Sequence, residues 1–147
     1  MQDIASHRSY APILRLENVT RSFKQGTREL SVLKGASCEL MPGQAVALVG
    51  PSGSGKSTML HITGLLEAPT SGRVFIGGNN CAEMSEAERT RLRRREIGFI
   101  YQFHQLLPEF SALENVVIPQ MILGRRRKDA EARARSLLAS LGLAERV

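Results

Sequence analysis

The sequence predicts an α/β domain, and three features of its 147 residues support that fold class. Residues 45–49 are all apolar, as in a strand buried on both faces, and a glycine-rich loop follows them. Residues 13–19 alternate between apolar and polar side chains, as a half-buried strand does. Capping-box pairs at Ser85 and Ser111 each predict the start of a helix.

The remaining elements follow from the same kinds of pattern. The other predicted strands are residues 30–41, 72–76 and 97–101, and the other predicted helices are residues 58–65, 112–118 and 129–141. Pro119 should interrupt the second of these helices because it lacks an N–H group. Leu137, Leu138 and Leu141 should form the apolar face of the last helix, which Gly142 should end. A helical portion is therefore expected from about residue 103 onward.

Composition is that of an ordinary globular protein, with 42% apolar and 23% charged residues and no apolar run that could span a bilayer. Much of the net charge of +6 comes from residues 91–95 and 125–128. Neither run contains aromatic side chains on which bases could stack, so nucleic acid is not an expected partner. Cys38 and Cys81 lack metal or disulfide spacing, which favours two reduced thiols in a cytosolic protein.

A motif with phosphate-binding spacing follows residues 45–49. The pattern G-x-x-x-x-G-K-[ST] is matched by Gly50, Pro51, Ser52, Gly53, Ser54, Gly55, Lys56 and Ser57. Its glycines let the backbone N–H groups face phosphate oxygens, and the next helix adds its N-terminal amides. Lys56 brings a positive charge to the β- and γ-phosphates, and the Ser57 hydroxyl is a suitable Mg²⁺ ligand. The motif predicts binding of ATP with Mg²⁺, although kinases, GTPases and transport ATPases share it.

The whole chain resembles the nucleotide-binding domain of ABC transporters. Beyond the motif, the resemblance is carried by Gly64-Leu65-Leu66, by Pro69-Thr70-Ser71-Gly72 and by residues 97–102. It implies an α/β P-loop NTPase core of the ABC type, with an antiparallel β subdomain and the start of a helical subdomain. Residues 12–102 would form the β subdomain and P-loop core, and residues 103–147 the beginning of the helical subdomain.

This resemblance implies roles for three further residues. Phe23 would stack on adenine, although a phenylalanine after an alternating strand is also an ordinary core residue. Thr58 would support the α-phosphate. Gln102 would sense the γ-phosphate through the metal and the attacking water, unless it is an ordinary loop residue. Lys56 and Gln102 are then the expected catalytic residues, and Ser57 and Gln102 the expected Mg²⁺ ligands.

Residues 101–116 resemble the ATP-binding subunits of bacterial lipoprotein-releasing complexes, with macrolide-exporter and cell-division complexes as alternatives. The resemblance implies a homodimer that sandwiches two ATP molecules at the cytoplasmic face of the inner membrane. Hydrolysis would drive the release of lipoproteins toward the outer membrane. Residues 103–116 would contact integral membrane permease subunits through an exposed apolar loop, or would instead form the core of the helical subdomain.

Some features of such an ATPase are missing from the sequence. The enzyme needs an aspartate at the end of an apolar strand, and neither Asp3 nor Asp129 follows one. The Leu-Ser-Gly-Gly-Gln signature and the switch histidine of the family are also absent. We therefore expect an N-terminal fragment that binds ATP weakly and hydrolyses essentially none. The remaining alternatives are a soluble P-loop kinase, a nucleic-acid-acting ATPase, or a non-catalytic nucleotide-binding module.

Overall fold

The computed structural model describes residues 11–145, and of Gln25 only the backbone. These residues form two compact units, one that ends at Ile97 and one that begins at Gly98. Asp3, which the sequence reasoning considered as a site carboxylate, lies outside the described residues. Within the described range, every helix is too short or too polar to cross a membrane.

Four antiparallel strands form one sheet in the first unit, in the order β2-β1-β3-β4. They are β1 (Leu14–Gln25), β2 (Arg28–Leu40), β3 (Ser71–Ile76) and β4 (Asn79–Asn80). A tight turn at Gly26 joins β1 to β2, and its φ of 62° suits glycine. The strands predicted at residues 13–19, 30–41 and 72–76 are confirmed, and the first two extend into a long hairpin.

The core of the first unit lies between this sheet and helix α1 (Lys56–Thr63), which ends at Gly64. Its buried members are Leu16, Val19, Leu33, Ile62, Leu65, Val74, Ile76 and Cys81. Burial raises the pKa of the Cys81 thiol, which keeps it protonated and unreactive. Helix α2 (Glu86–Glu96) begins with the predicted capping box at Ser85 and packs through Leu92 against the same core.

Two helices make up the regular part of the second unit, α3 (Ala112–Ile122) and α4 (Arg127–Ser140). The capping box predicted for α3 is present. The Ser111 hydroxyl accepts the N–H of Glu114, and the Glu114 carboxylate accepts the N–H of Ser111 at 2.9 Å. The Ser111 N–H and hydroxyl groups both donate to this carboxylate and hold the pKa of Glu114 below its usual value.

Pro119 does not interrupt α3, contrary to the prediction, and the helix continues to Ile122. A proline inside a helix removes one backbone hydrogen bond. Packing against α4 offsets this loss, because Val117 is buried between the helices and the Gln120 side chain donates to the Ala130 carbonyl at 3.3 Å. Tertiary contacts therefore outweigh the local preference at this position.

The buried face of α4 also differs from the predicted one. Ala130, Ala134 and Leu138, spaced four residues apart, are buried, whereas Leu137 and Leu141 are 43% and 74% exposed. Small alanine side chains let α4 approach α3 closely, and this spacing places all three buried residues on one side of the helix. Only Leu138 of the predicted apolar face belongs to the buried side.

Residues 45–49 and 97–101 do not form the buried strands predicted for them. Both segments are irregular, and Val49 and Ile100 are 84% and 101% exposed. A parallel strand needs a neighbouring strand to satisfy its backbone hydrogen bonds. Within residues 11–145 every strand belongs to the antiparallel sheet, and neither segment pairs with that sheet. Most side chains of the two segments are therefore exposed to solvent, and Ile97 alone of them packs against the core of the first unit among the described residues.

A bulge in β1 sets how closely β1 and β3 approach each other. Asn18 lies in this bulge with a φ of 48°, and its N–H donates to the Ser37 hydroxyl at 2.9 Å. Gly72 of β3 packs against it. A Cβ atom at Gly72 would lie 2.5 Å from the Asn18 carbonyl oxygen and 2.6 Å from the Val19 Cα. Only glycine fits at this position.

Replacing Gly72 with alanine should therefore destabilise the protein. Gly78→Ala is a matched control. The φ of Gly78 is +80°, close to the +91° of Gly72, and no described atom lies within 4 Å of the Cβ position at Gly78. We expect the free energy of unfolding to fall by about 3 kcal/mol for Gly72→Ala, and by about 1 kcal/mol for Gly78→Ala, in urea denaturation. Equal losses would show that the contact with Asn18 is unimportant.

Candidate phosphate-binding site

The glycine-rich motif forms a curled loop that leads into α1. The N–H of Ser54 donates to the Pro51 carbonyl at 3.3 Å, which closes a turn in the middle of the loop. Gly53 and Gly55 have φ values of 79° and 89°, in the left-handed region that residues with side chains rarely adopt. The loop is thus bent back on itself rather than extended.

The ammonium group of Lys56 is held by this loop. Its Nζ atom donates to the carbonyl oxygen of Gly50 at 2.8 Å and to that of Pro51 at 2.6 Å. An ammonium group has three N–H donors, so these two contacts leave one donor for a further acceptor. The lysine charge is therefore fixed in place by the backbone of its own loop.

The first turn of α1 presents backbone amides to solvent. Its N-cap is Gly55, no side chain of the described residues caps it, and the first turn contains no acidic residue. The first N–H groups of a helix lack partners within the helix, and the helix dipole adds partial positive charge there. Together with Lys56, these amides can bind an anion such as phosphate.

Ser57 and Thr58 add two hydroxyl groups to the same turn, and Ser57 is exposed. Mg²⁺ prefers oxygen ligands and is bound through few protein groups, with phosphate oxygens and water completing its shell. No cluster of three or more His, Cys, Asp or Glu side chains occurs among the described residues. The donors present therefore fit a magnesium ion that is bound together with a phosphate ligand.

Strand β2 fixes the position of the loop. A Cβ atom at Gly55 would lie 3.0 Å from both the Val32 Cγ1 and the Leu33 Cδ2 atoms, so the loop backbone packs directly on the strand. Leu33 is itself a buried member of the core, and Met59 of α1 packs against the same core. The position of the loop is thus coupled to the packing of the first unit.

Comparison with known proteins identifies the family. The family model described as ABC transporter matches residues 33–147, which is more than half of the chain. The chain belongs to the ABC transporter family. Its fold class is the α/β P-loop fold of ABC-type ATPases, with an antiparallel β subdomain and the start of a helical subdomain, as the sequence predicted.

Similar ABC proteins include ATP-binding subunits of lipoprotein-releasing systems. The chain is 62% identical over 133 residues to the lipoprotein-releasing system ATP-binding protein LolD 1 of Rhodospirillum rubrum. It is 59% identical over 133 residues to the LolD protein of Paramagnetospirillum magneticum. Both alignments cover 90% of this chain and 59% of the relative. The chain thus spans less than two thirds of the length of these relatives.

Solved structures of ABC cassettes share the fold. One is the dimeric structure of an ATP-binding cassette in a post-hydrolysis state bound to ADP and Pi, with a TM-score of 0.82 and 38% identity. A second dimeric structure of the same cassette, described as a bacterial ABC transporter cassette, also gives a TM-score of 0.82 and 38% identity. Each match covers 90% of this chain and 59% of the solved one.

Phe23, for which the ABC resemblance implied adenine stacking, lies on β1. It is half-buried and lies outside the buried core of the described residues. Its register partner in β2 is Leu30. Leu33, three residues further along β2, lies against the phosphate-binding loop at Gly55. The guanidinium group of Arg21 covers the Phe23 ring, with its Cζ atom 4.5 Å from the ring centroid. Adenine stacking on Phe23 stays a prediction.

Gln102, expected to sense the γ-phosphate, lies in an exposed, irregular segment of the second unit. Its role as a catalytic residue and Mg²⁺ ligand stays a prediction. Asp129 lies in the first turn of α4, where its carboxylate pairs with Arg126 at 3.0 Å. The carboxylate of Asp129 is thus engaged at the start of a helix.

Sequence reasoning missed both the backbone contacts of Lys56 and the contact of Arg21 with Phe23. The contact of Arg21 with Phe23 could have been predicted, because residues i and i+2 of a strand share a face. Glu67, which forms an ion pair with Arg21, lies 46 residues further along the chain. A separation of that length leaves no local signal for the pair.

Replacing Gly55 with alanine should weaken the binding of Mg·ATP to the whole protein. The new methyl group would press on Val32 and Leu33 and displace the loop. Gly43→Ala is the matched control, because the φ of Gly43 is 75° against 89° for Gly55 and no described atom lies within 4 Å of its Cβ position. We expect the dissociation constant to rise at least about tenfold for Gly55→Ala in calorimetry, because small displacements weaken aligned contacts strongly. The dissociation constant should stay unchanged for Gly43→Ala. An unchanged dissociation constant for both variants would contradict the proposal that β2 fixes the position of the loop.

Proposed function

We propose that the chain forms the ATP-binding part of an ABC transporter ATPase and that residues 50–58 bind the phosphates of Mg·ATP. The observation that carries this proposal is the curl of the loop around Lys56 at the uncapped start of α1. The ammonium group and the uncapped helix amides belong to the same loop and first turn, and together they can neutralise the charge of a triphosphate. The ADP and Pi bound to a similar cassette support this assignment.

Each residue of the loop has a distinct part in this proposal. Lys56 would bind the β- and γ-phosphate oxygens, and Thr58 would support the α-phosphate. The Ser57 hydroxyl would hold Mg²⁺, which when bound supplies positive charge beside the phosphate oxygens. Phosphoryl transfer depends mainly on positioning and charge neutralisation, so these residues would prepare ATP for hydrolysis. Gln102 is proposed to sense the γ-phosphate.

Hydrolysis coupled to transport is proposed for the whole protein. We expect the 147 residues by themselves to bind ATP weakly and to hydrolyse essentially none. Neither Asp3 nor Asp129 follows an apolar strand, where the carboxylate that completes the Mg²⁺ shell is needed. A homodimer that sandwiches two ATP molecules is the proposed working form, and two dimeric structures of one cassette of similar fold support it.

Lipoprotein release toward the outer membrane is the proposed transport step. The LolD proteins of two bacteria, at 62% and 59% identity, support this choice over macrolide export or a cell-division role. The proposed location is the cytoplasmic face of the bacterial inner membrane. The proposed partners there are integral membrane permease subunits.

An exposed apolar surface in the second unit supports contact with such subunits. The side chains of Phe103, Leu106, Leu107 and Phe110 are 73%, 63%, 45% and 44% exposed. Asn115 holds the backbone of this loop: its Oδ1 atom accepts the Leu107 N–H at 2.8 Å, and its Nδ2 atom donates to the carbonyls of Leu107 and Phe110 at 3.1 and 3.0 Å. A fixed loop that presents apolar side chains suits a protein interface better than a helical core.

The basic runs give little support to a nucleic-acid-acting ATPase. Arg93 donates to the Leu65 carbonyl at 2.6 Å, and Arg127 pairs with Glu131 at 2.8 Å. Cations engaged by the protein's own oxygen atoms are less available to the phosphates of nucleic acid. Nucleic acid is therefore not among the partners that we propose.

The replacement Lys56→Ala should abolish steady ATP hydrolysis by the whole protein, because it removes the cation beside the β- and γ-phosphates. We expect phosphate release at saturating Mg·ATP to fall at least about a hundredfold. Lys34→Ala, at an exposed lysine of β2, should keep the rate of the parent protein. A Lys56→Ala rate close to that of the parent would contradict the proposal.

A further inference from the structure

Arg21 and Phe23 form a cation–aromatic pair on β1. The Cζ atom of Arg21 lies 4.5 Å from the centroid of the Phe23 ring. A guanidinium group is attracted to the face of an aromatic ring, where the electron density is highest. The Arg21 guanidinium thus occupies one of the two faces of the Phe23 ring.

Arg21 is itself held in place by Glu67. Its Nε atom donates to the Oε1 atom of Glu67 at 2.8 Å, and its Nη2 atom forms an ion pair with the same oxygen at 2.5 Å. The two side chains are 24% and 22% exposed, so the pair is largely withdrawn from solvent. A hydrogen bond and an ion pair to the same carboxylate restrict the rotation of the guanidinium group, which holds its plane above the ring.

The segment that carries Glu67 is fastened to β1 on both sides of Arg21. The N–H of Thr70 donates to the Thr20 carbonyl at 2.8 Å, and the N–H of Ser22 donates to the Thr70 hydroxyl at 3.0 Å. These bonds tie the residues before and after Arg21 to one short segment. Glu67 and Arg21 therefore cannot shift independently.

Helix α1 connects this segment to the phosphate-binding loop. The helix begins at Lys56, and just beyond its end the N–H of Glu67 donates to the His61 carbonyl at 3.3 Å. A helix of eight residues is about 12 Å long. The helix and the hydrogen-bonded turn that follows it thus connect the loop to the segment that carries Glu67.

We propose that Arg21 is a positioning residue for the adenine base of ATP. Arg21 fixes the Phe23 ring so that the face away from Arg21 stacks on the base at a set separation from the loop. Arg21 does not touch the nucleotide, and Glu67 in turn holds Arg21. The inference rests on the proposed function, since it requires the phosphates of ATP at residues 50–58.

The test compares ATP with inorganic tripolyphosphate, which carries phosphates but no base. Calorimetry on the whole protein with Mg²⁺ should show that Arg21→Gln raises the dissociation constant for ATP about three- to tenfold. The value for tripolyphosphate should stay unchanged, which also shows that the variant is folded. Arg15→Gln is the matched control, because Arg15 covers Phe75 at 4.3 Å and pairs with Glu17 at 3.3 Å on the same sheet. It should alter neither affinity.

Three further variants complete the test. Phe23→Ala should weaken the binding of ATP at least as much as Arg21→Gln does, and Glu67→Gln should weaken it less. Arg21→Lys should retain part of the ATP affinity that Arg21→Gln loses. Unchanged ATP affinity in Arg21→Gln, or an equal loss for tripolyphosphate, would overturn the positioning role while the proposed function stands. A parent protein that binds neither ligand would overturn the proposed function, and the positioning role with it.

Discussion

The hydrogen bonds from Lys56 to the carbonyls of Gly50 and Pro51 are the interaction on which the candidate site depends. They tie the start of the loop to Lys56, the first residue of α1, and so keep the loop curled. The left-handed backbone of Gly53 and Gly55 permits this shape. A single chain segment thus brings a cation, a helix N-terminus and two hydroxyl groups to the candidate site.

Elements whose signals are local could be predicted from the sequence. The capping boxes at Ser85 and Ser111 and the alternation in β1 each depend on residues a few positions apart. The strand predicted at residues 45–49 was wrong, because a buried parallel strand also depends on a neighbour that its own pattern cannot supply. Pro119 was misjudged for a similar reason, since packing of α3 on α4 outweighed the local rule.

The candidate site was predictable only where it is continuous in the sequence. Residues 50–57 carry their chemistry within one motif, so their roles could be reasoned from spacing. Roles for Phe23 and Gln102 came from family resemblance and remain proposals. The pair between Arg21 and Glu67 needed the structure, because the fold alone brings together residues 46 positions apart.

Backbone amide NMR of the whole protein during titration with Mg·ATP tests the phosphate-binding role of the loop most directly. The curled loop predicts large chemical-shift changes at Gly53, Gly55, Lys56 and Ser57 that saturate together. Changes should be small at residues 112–114, because Ser111 caps the first turn of α3. Shifts concentrated elsewhere, or of equal size at both helix starts, would contradict the role of the loop.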